Sequence, residues 1–183
     1  MNISDLDLSL LKTGDVFCCS GDRTPLSTGI KIGSLSDLTH TSTFKWLYYS
    51  PTGQPRPYMS DAQRQGFYDK PLEWWLNKYG YKFFVMRAPE EINAEEFLLH
   101  AETILGTPYD IFNLIFRQPQ KILTGKWKDK KDEMDRIICN GGTAYMQNYR
   151  KMLFPNPDMY DPQQIFERML KLKYDMIPIN NYG

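Results

Sequence analysis

A cysteine, a histidine and an aspartate in this chain could together form a site for nucleophilic catalysis. Cys139 follows an apolar pair, Ile137 and Ile138, and opens a run that predicts a helix. At the start of a helix a thiol meets unpaired N–H groups and the positive end of the helix dipole, and both favour the reactive thiolate. Such a nucleophile also needs a base within about 3 Å, and that base needs a polar partner on its far nitrogen.

The chain has only two histidines that could serve as the base. His100 falls inside a predicted helix, whereas His40 opens a predicted strand among hydroxyl residues, so we expect His40 to be the base. Asp61 falls on the neighbouring predicted strand and is expected to accept from the imidazole. Each residue also has a plainer interpretation, because free cysteines are usually buried and inert and a lone histidine or carboxylate is often structural.

Apolar patterns predict the elements that position these side chains. Strands are predicted after the Gly-Asp turn at 14–15 and over 39–49, 58–63 and 81–87, with the second and third paired. Helices are predicted over 71–77, from Asn93 to Gly106, over 108–116, from Cys139, and after the Asp161 cap. Residues 126–136 predict a solvated loop, and 20–37 are left as either a short helix or a loop.

The composition of the chain limits which class of protein it can be. A chain of 183 residues with 42% hydrophobic and 14% aromatic residues predicts one folded domain over 1–183. The net charge is zero, so nothing in the overall charge favours nucleic acid or an anionic membrane as a partner. No apolar run reaches the length of a membrane span, and the first residues are acidic where a secretory signal is basic, so we expect a cytoplasmic protein.

The cysteine pattern argues against cofactor chemistry. Three cysteines, two of them adjacent at Cys18 and Cys19, give no disulfide framework and no zinc-type spacing, so we predict no metal and no cofactor. A metal site built from Cys18, Cys19, His40 and Asp61 is the alternative, but adjacent cysteines suit one tetrahedral ion poorly. Packing within the first strand is the simpler expectation for both.

Taken in order, several segments resemble the circularly permuted branch of the NlpC-type papain-like cysteine hydrolases, which is related to the lecithin retinol acyltransferase-like group. The segments span most of the chain and are residues 14–17, 38–44, 59–62, 66–76, 106–110 and 138–145. The resemblance implies an α+β fold in which a small antiparallel sheet packs against helices and the nucleophile helix follows the sheet. It also implies Cys139 as nucleophile, His40 as base and Asp61 as the third polar residue.

The function implied by the resemblance is hydrolysis of an amide bond, as by a peptidase or amidase, through an acyl-enzyme. Backbone N–H groups at the helix start, that of Cys139 included, would hold the oxyanion. Asn140, Gly141 and Gly142 are the expected oxyanion and substrate-binding positions, although the two glycines equally suit a loose helix start. Acyl transfer or esterase action on lipid-like acyl groups is one alternative, and a catalytically silent binding or structural protein on the same scaffold is another.

The substrate class stays open between peptides, notably those of cell walls, and acyl lipids. The aromatic residues Trp74, Trp75, Tyr79, Phe83 and Phe84 could line an acyl groove, but their spacing is more typical of a core. A cell-wall role for a cytoplasmic protein would require release by lysis or delivery in a larger particle. The sequence leaves the oligomeric state undetermined.

Overall fold

We describe the protein from a computed structural model that covers residues 3–20, 37–48, 53–79, 82–110, 124 and 136–179. Within these ranges six strands form one antiparallel sheet in the order β4-β3-β2-β1-β5-β6. The strands are β1 (Val16–Cys19), β2 (His40–Leu47), β3 (Arg56–Gln63), β4 (Gly66–Pro71), β5 (Phe83–Arg87) and β6 (Asp175–Ile177).

The described helices are α1 (Leu72–Tyr79), α2 (Ala94–Glu102), α3 (Cys139–Gln147) and α4 (Pro162–Lys171). Short 3-10 turns lie at Ile3–Asp5, Leu8–Leu10 and Pro157–Met159. Two helix starts are capped as the sequence predicts: Asn93 accepts from the Glu96 N–H, and Asp161 forms a reciprocal capping box with Gln164. In the described ranges no helix is both long and apolar enough to cross a membrane.

The central strand β1 is buried on both faces, which explains its unbroken apolar sequence. Because successive side chains of a strand point to opposite faces, Phe17 and Cys19 join one core cluster and Val16 and Cys18 join another. Helix α1 packs on the first face through the fully buried Trp75. Helix α4 covers the second face through residues that include Ile165 and Met169.

The structure confirms the α+β class and most of the predicted elements. The structure adds an edge strand, β4, that the sequence did not predict. Pro71 ends this strand and does not open the following helix, which begins at Leu72. Strand β6 was also missed, so one short strand follows the helix of Cys139, which therefore does not lie wholly C-terminal to the sheet. The helix predicted over 108–116 does not include residues 108–110, because Tyr109 forms a bridge with Ile137, and residues 111–116 lie outside the described residues. The predictions for 126–135 and for most of 20–37 also lie outside them.

Helix α3 lies very close to its neighbours because its first turn contains two glycines. A Cβ atom on Gly142 would lie inside contact distance of three carbons of the Phe67 ring, and one on Gly141 would collide with Asp158 Oδ1. Both glycines are buried. Their positions are therefore required by close packing of the helix against β4 and the 157–159 turn, and the space beside each Cα is filled by protein and not by substrate.

We expect Gly142→Ala to lower the free energy of unfolding by about 1–2 kcal/mol. Alanine improves helix propensity by up to about 1 kcal/mol, but overpacking against Phe67 costs about 1–3 kcal/mol. Urea unfolding measures the net effect. The control is Phe67→Leu, alone and combined with Gly142→Ala, because the smaller side chain should relieve the clash in the double variant. A stabilised Gly142→Ala protein would contradict this packing.

Candidate active site

Strand pairing brings His40 and Asp61 into direct contact. Strands β2 and β3 are antiparallel with Thr43 opposite Ser60, so Asp61 falls beside Ser42 and reaches the first residue of β2. The His40 Nε2 atom lies 2.6 Å from Asp61 Oδ1, and Asp61 has no exposed surface. The contact between the two predicted residues is thus a direct hydrogen bond inside the protein.

The Asp61 carboxylate accepts from two further side chains. Ser42 Oγ donates to Oδ1 at 3.2 Å, and Gln63 Nε2 donates to Oδ2. Ser42 is itself fixed by Trp75, whose Nε1 donates to the hydroxyl at 2.8 Å. A buried carboxylate needs such donors, because an unpaired charge away from water is very costly.

Tyr79 completes the surroundings of His40. Its ring stacks on the imidazole with centroids 4.3 Å apart and planes 16° from parallel. Its hydroxyl accepts from Gln63 Nε2 at 3.0 Å. Sequence reasoning treated Tyr79 only as a core or groove aromatic, and nothing local to the helix end signals a contact with a residue 39 positions earlier.

Cys139 is the first residue of α3 and is only 6% exposed. Its Sγ donates to Asn140 Oδ1 at 3.4 Å, and its side chain lies near enough to the His40 ring to raise the pKa of that ring. Since Asp61 occupies Nε2 of the imidazole, Nδ1 is the nitrogen left for the thiol. The structure therefore brings all three predicted residues together, with the histidine in the middle.

The pKa of His40 is raised from 6.5 to about 10. Burial of the ring is the largest single effect and lowers the pKa, because the protein interior disfavours the cation. The negative charges of Asp61 and of the Cys139 thiolate, together with a hydrogen bond to each, outweigh burial and raise it. The site consequently favours the protonated form of the His40 imidazole.

The three predicted oxyanion or substrate positions have different surroundings. Helix geometry leaves the N–H groups of the first three residues of α3, Cys139 among them, without an intrahelical acceptor. The Gly142 N–H already donates to Ile138 O at 2.9 Å, so this position does not supply an oxyanion donor. Asn140 is 2% exposed, and its Nδ2 has no hydrogen-bond partner among the described residues.

A second tyrosine, Tyr109, lies near Cys139 and was not predicted as a site residue. It forms an isolated bridge with Ile137, two residues before the thiol. Its pKa is raised, first by burial and then by the negative charges of Cys139, Asp61 and Asp110. Tyr109 belongs to segment 106–110, which contributed to the family resemblance. That resemblance was the one sequence signal that pointed to Tyr109.

The alternative metal site is not assembled by this fold. Cys18 and Cys19 point to opposite faces of the sheet, because they are consecutive residues of one strand. Burial raises the pKa of Cys18 to about 12. Across the described residues, no three side chains of His, Cys, Asp and Glu form a group that could hold a metal ion.

Comparison with known proteins shows the fold alone. No family model matches the chain, and no curated protein does either. A solved structure, that of metalloprotein yiiX from Escherichia coli O157:H7, described as DUF1105, matches with a TM-score of 0.64 at 17% identity. The match covers 92% of this chain and 97% of that one.

We expect the imidazole of His40 to titrate near pH 10 in the folded protein. NMR titration measures this, with His100, which contacts Tyr145 O at 3.0 Å, as the internal reference. Because the folded pKa lies above the unfolded value, the stability due to the imidazolium is present below about pH 6.5 and is lost as the pH rises toward 10. Asp61→Asn should lower the His40 pKa more than Cys139→Ser, and titration of wild-type His40 near pH 6.5 would contradict the charge pattern.

Proposed function

We propose that this protein is a cysteine hydrolase that cleaves an amide bond through Cys139, His40 and Asp61, in a circularly permuted papain-like fold. The supporting observation is the position of His40, whose Nε2 lies 2.6 Å from Asp61 Oδ1 and whose pKa is raised by both Asp61 and the neighbouring Cys139 side chain. The fold shared with yiiX is evidence neither for nor against this activity, because proteins of one fold can have different functions.

In the first half of the reaction, the Cys139 thiolate attacks the carbonyl carbon of the substrate and forms a carbon–sulfur bond. The carbonyl electrons move to oxygen, and N–H groups at the start of α3 stabilise the resulting oxyanion. His40, protonated at the start, donates its proton to the leaving nitrogen as the carbon–nitrogen bond breaks. The products of this half are an amine and a thioester on Cys139.

In the second half, His40 removes a proton from water, and the hydroxide attacks the thioester carbon. The carbon–sulfur bond breaks and returns the electron pair to sulfur, which restores the thiolate and the imidazolium and releases a carboxylic acid. Asp61 keeps the imidazole oriented through both halves and stabilises its positive charge. An alcohol or amine acceptor in place of water would turn the same cycle into acyl transfer.

The experiment that tests the activity is detection of an acyl-enzyme. Wild-type protein is mixed with peptide amides and with fatty-acyl esters, and intact-protein mass spectrometry followed by peptide mapping locates any acyl group. We expect a transient acyl group on Cys139, absent in Cys139→Ser, and at least about 10²-fold slower to form in His40→Ala.

The buried thiols of Cys18 and Cys19 are internal controls, and both should remain unmodified. Release of free acid identifies a hydrolase, and release of an acylated acceptor identifies a transferase. Acylation that is equally fast in His40→Ala, or that falls on another residue, would contradict the proposed mechanism.

A further inference from the structure

Gln63 is a buried polar residue that contacts the carboxylate oxygen of Asp61 that is not bonded to His40. It is the last residue of β3, two positions after Asp61, and is 7% exposed. Its Nε2 donates both to Asp61 Oδ2 and to the Tyr79 hydroxyl, the second at 3.0 Å. Its Oε1 accepts from Lys78 Nζ. One side chain thus contacts Asp61, Tyr79 and Lys78, and the first two of these contact the imidazole.

The orientation of the Gln63 amide is determined by its neighbours. Asp61 is an acceptor and the Lys78 ammonium is a donor, so the NH₂ group must face the carboxylate and the oxygen must face the ammonium. The reversed orientation would place two acceptors together and two donors together. The ammonium also polarises the amide, which makes its N–H a stronger donor to Asp61.

Lys78 is itself held in place by aromatic rings. Its Nζ lies 5.1 Å from the centroid of the Trp74 ring and 5.0 Å from that of Tyr79. Cation–π contacts of this kind fix an ammonium that would otherwise move freely in water. Helix α1 therefore supplies a positioned cation at the end of the line that runs through Gln63 to Asp61.

The charged groups of the site alternate in sign along this line. In the ionised state that the proposed mechanism requires, the order is the Cys139 thiolate, the His40 imidazolium, the Asp61 carboxylate, the Gln63 amide dipole and the Lys78 ammonium. Without the last two members, three ionised groups would lie together in the interior with a net charge of minus one, and Oδ2 of Asp61 would lack a donor. Such a charge is expensive to bury.

We propose that Gln63 is a positioning residue that, polarised by Lys78, holds the Asp61 carboxylate with Oδ1 toward His40. This role rests on the proposed function, since the orientation of His40 matters to catalysis only if Cys139 reacts. Ser42 donates to the same Oδ1 atom as His40, so Gln63 is the described side chain that restrains Oδ2. A donor on Oδ2 prevents rotation of the carboxylate, whereas hydrogen bonds to Oδ1 alone would not prevent it.

The test compares Gln63→Leu, Lys78→Met and Lys78→Arg with wild type in two measurements. The first is the rate of Cys139 alkylation at about pH 6, where an ordinary thiol is protonated. The second is the NMR signal of the His40 Nε2 proton, which reports the bond to Asp61 without requiring a reactive thiol. Lys78 is only partly buried, so its variants should fold even if Gln63→Leu does not.

We expect Gln63→Leu to slow alkylation by about tenfold or more and to shift or broaden the Nε2 proton signal. Lys78→Met should cause a smaller change of the same kind, and Lys78→Arg should restore near wild-type behaviour because it keeps the cationic donor. Gln147→Leu is the matched control. It removes another buried glutamine, bonded to Gly14 O and the Tyr174 hydroxyl, and should leave both measurements unchanged.

Three other outcomes are decisive. Fast wild-type alkylation that is unchanged in Gln63→Leu and Lys78→Met would overturn the positioning role and leave the hydrolase proposal standing. Equal losses in Gln63→Leu and Gln147→Leu would also overturn it, because the effect would then be general destabilisation. Slow alkylation of wild type with a His40 signal that still depends on Gln63 would support the positioning of Asp61 and overturn the hydrolase.

Discussion

The site depends on an ionisable carboxylate, Asp61, that has no contact with solvent. A charge in that position is tolerated only if surrounding donors replace the water it has lost. His40, Ser42 and Gln63 supply them, and each comes from β2 or β3, whose register is set by the antiparallel ladder. The need to satisfy one buried anion therefore links strand register, core packing and the protonation of the histidine.

Helix α3 brings the Cys139 side chain to the same histidine. The close approach of its first turn is possible because Gly141 and Gly142 leave room for Asp158 and Phe67. The helix start then places a thiol where backbone N–H groups and the helix dipole can stabilise negative charge. The sequence predicted either substrate contact or a loose helix start for these glycines, and the structure shows that they allow the helix of Cys139 to pack closely.

Sequence reasoning found the three central residues because each stands at a recognisable position: Cys139 at a helix start, His40 at a strand start and Asp61 on the paired strand. Their functional roles stay predictions. It missed β4 and β6, edge strands whose short polar sequences carry little periodic signal. It also missed two contacts of the site. Tyr79 reaches His40 through the packing of α1 against the sheet, which no local pattern records. Gln63 lies two residues after Asp61 on the same strand, but two polar residues at that spacing form no recognisable motif.

The proposed mechanism requires that Asp61 and the Cys139 thiolate hold a proton on His40 in the folded protein. The most direct measurement is the ultraviolet absorbance of the thiolate, taken as the difference between wild type and Cys139→Ser from about pH 5 to pH 9, a range that includes the ordinary cysteine titration. We expect a thiolate signal that is already present near neutral pH and is strongly reduced in Asp61→Asn. A signal that emerges only above about pH 8, and is the same in Asp61→Asn, would contradict it.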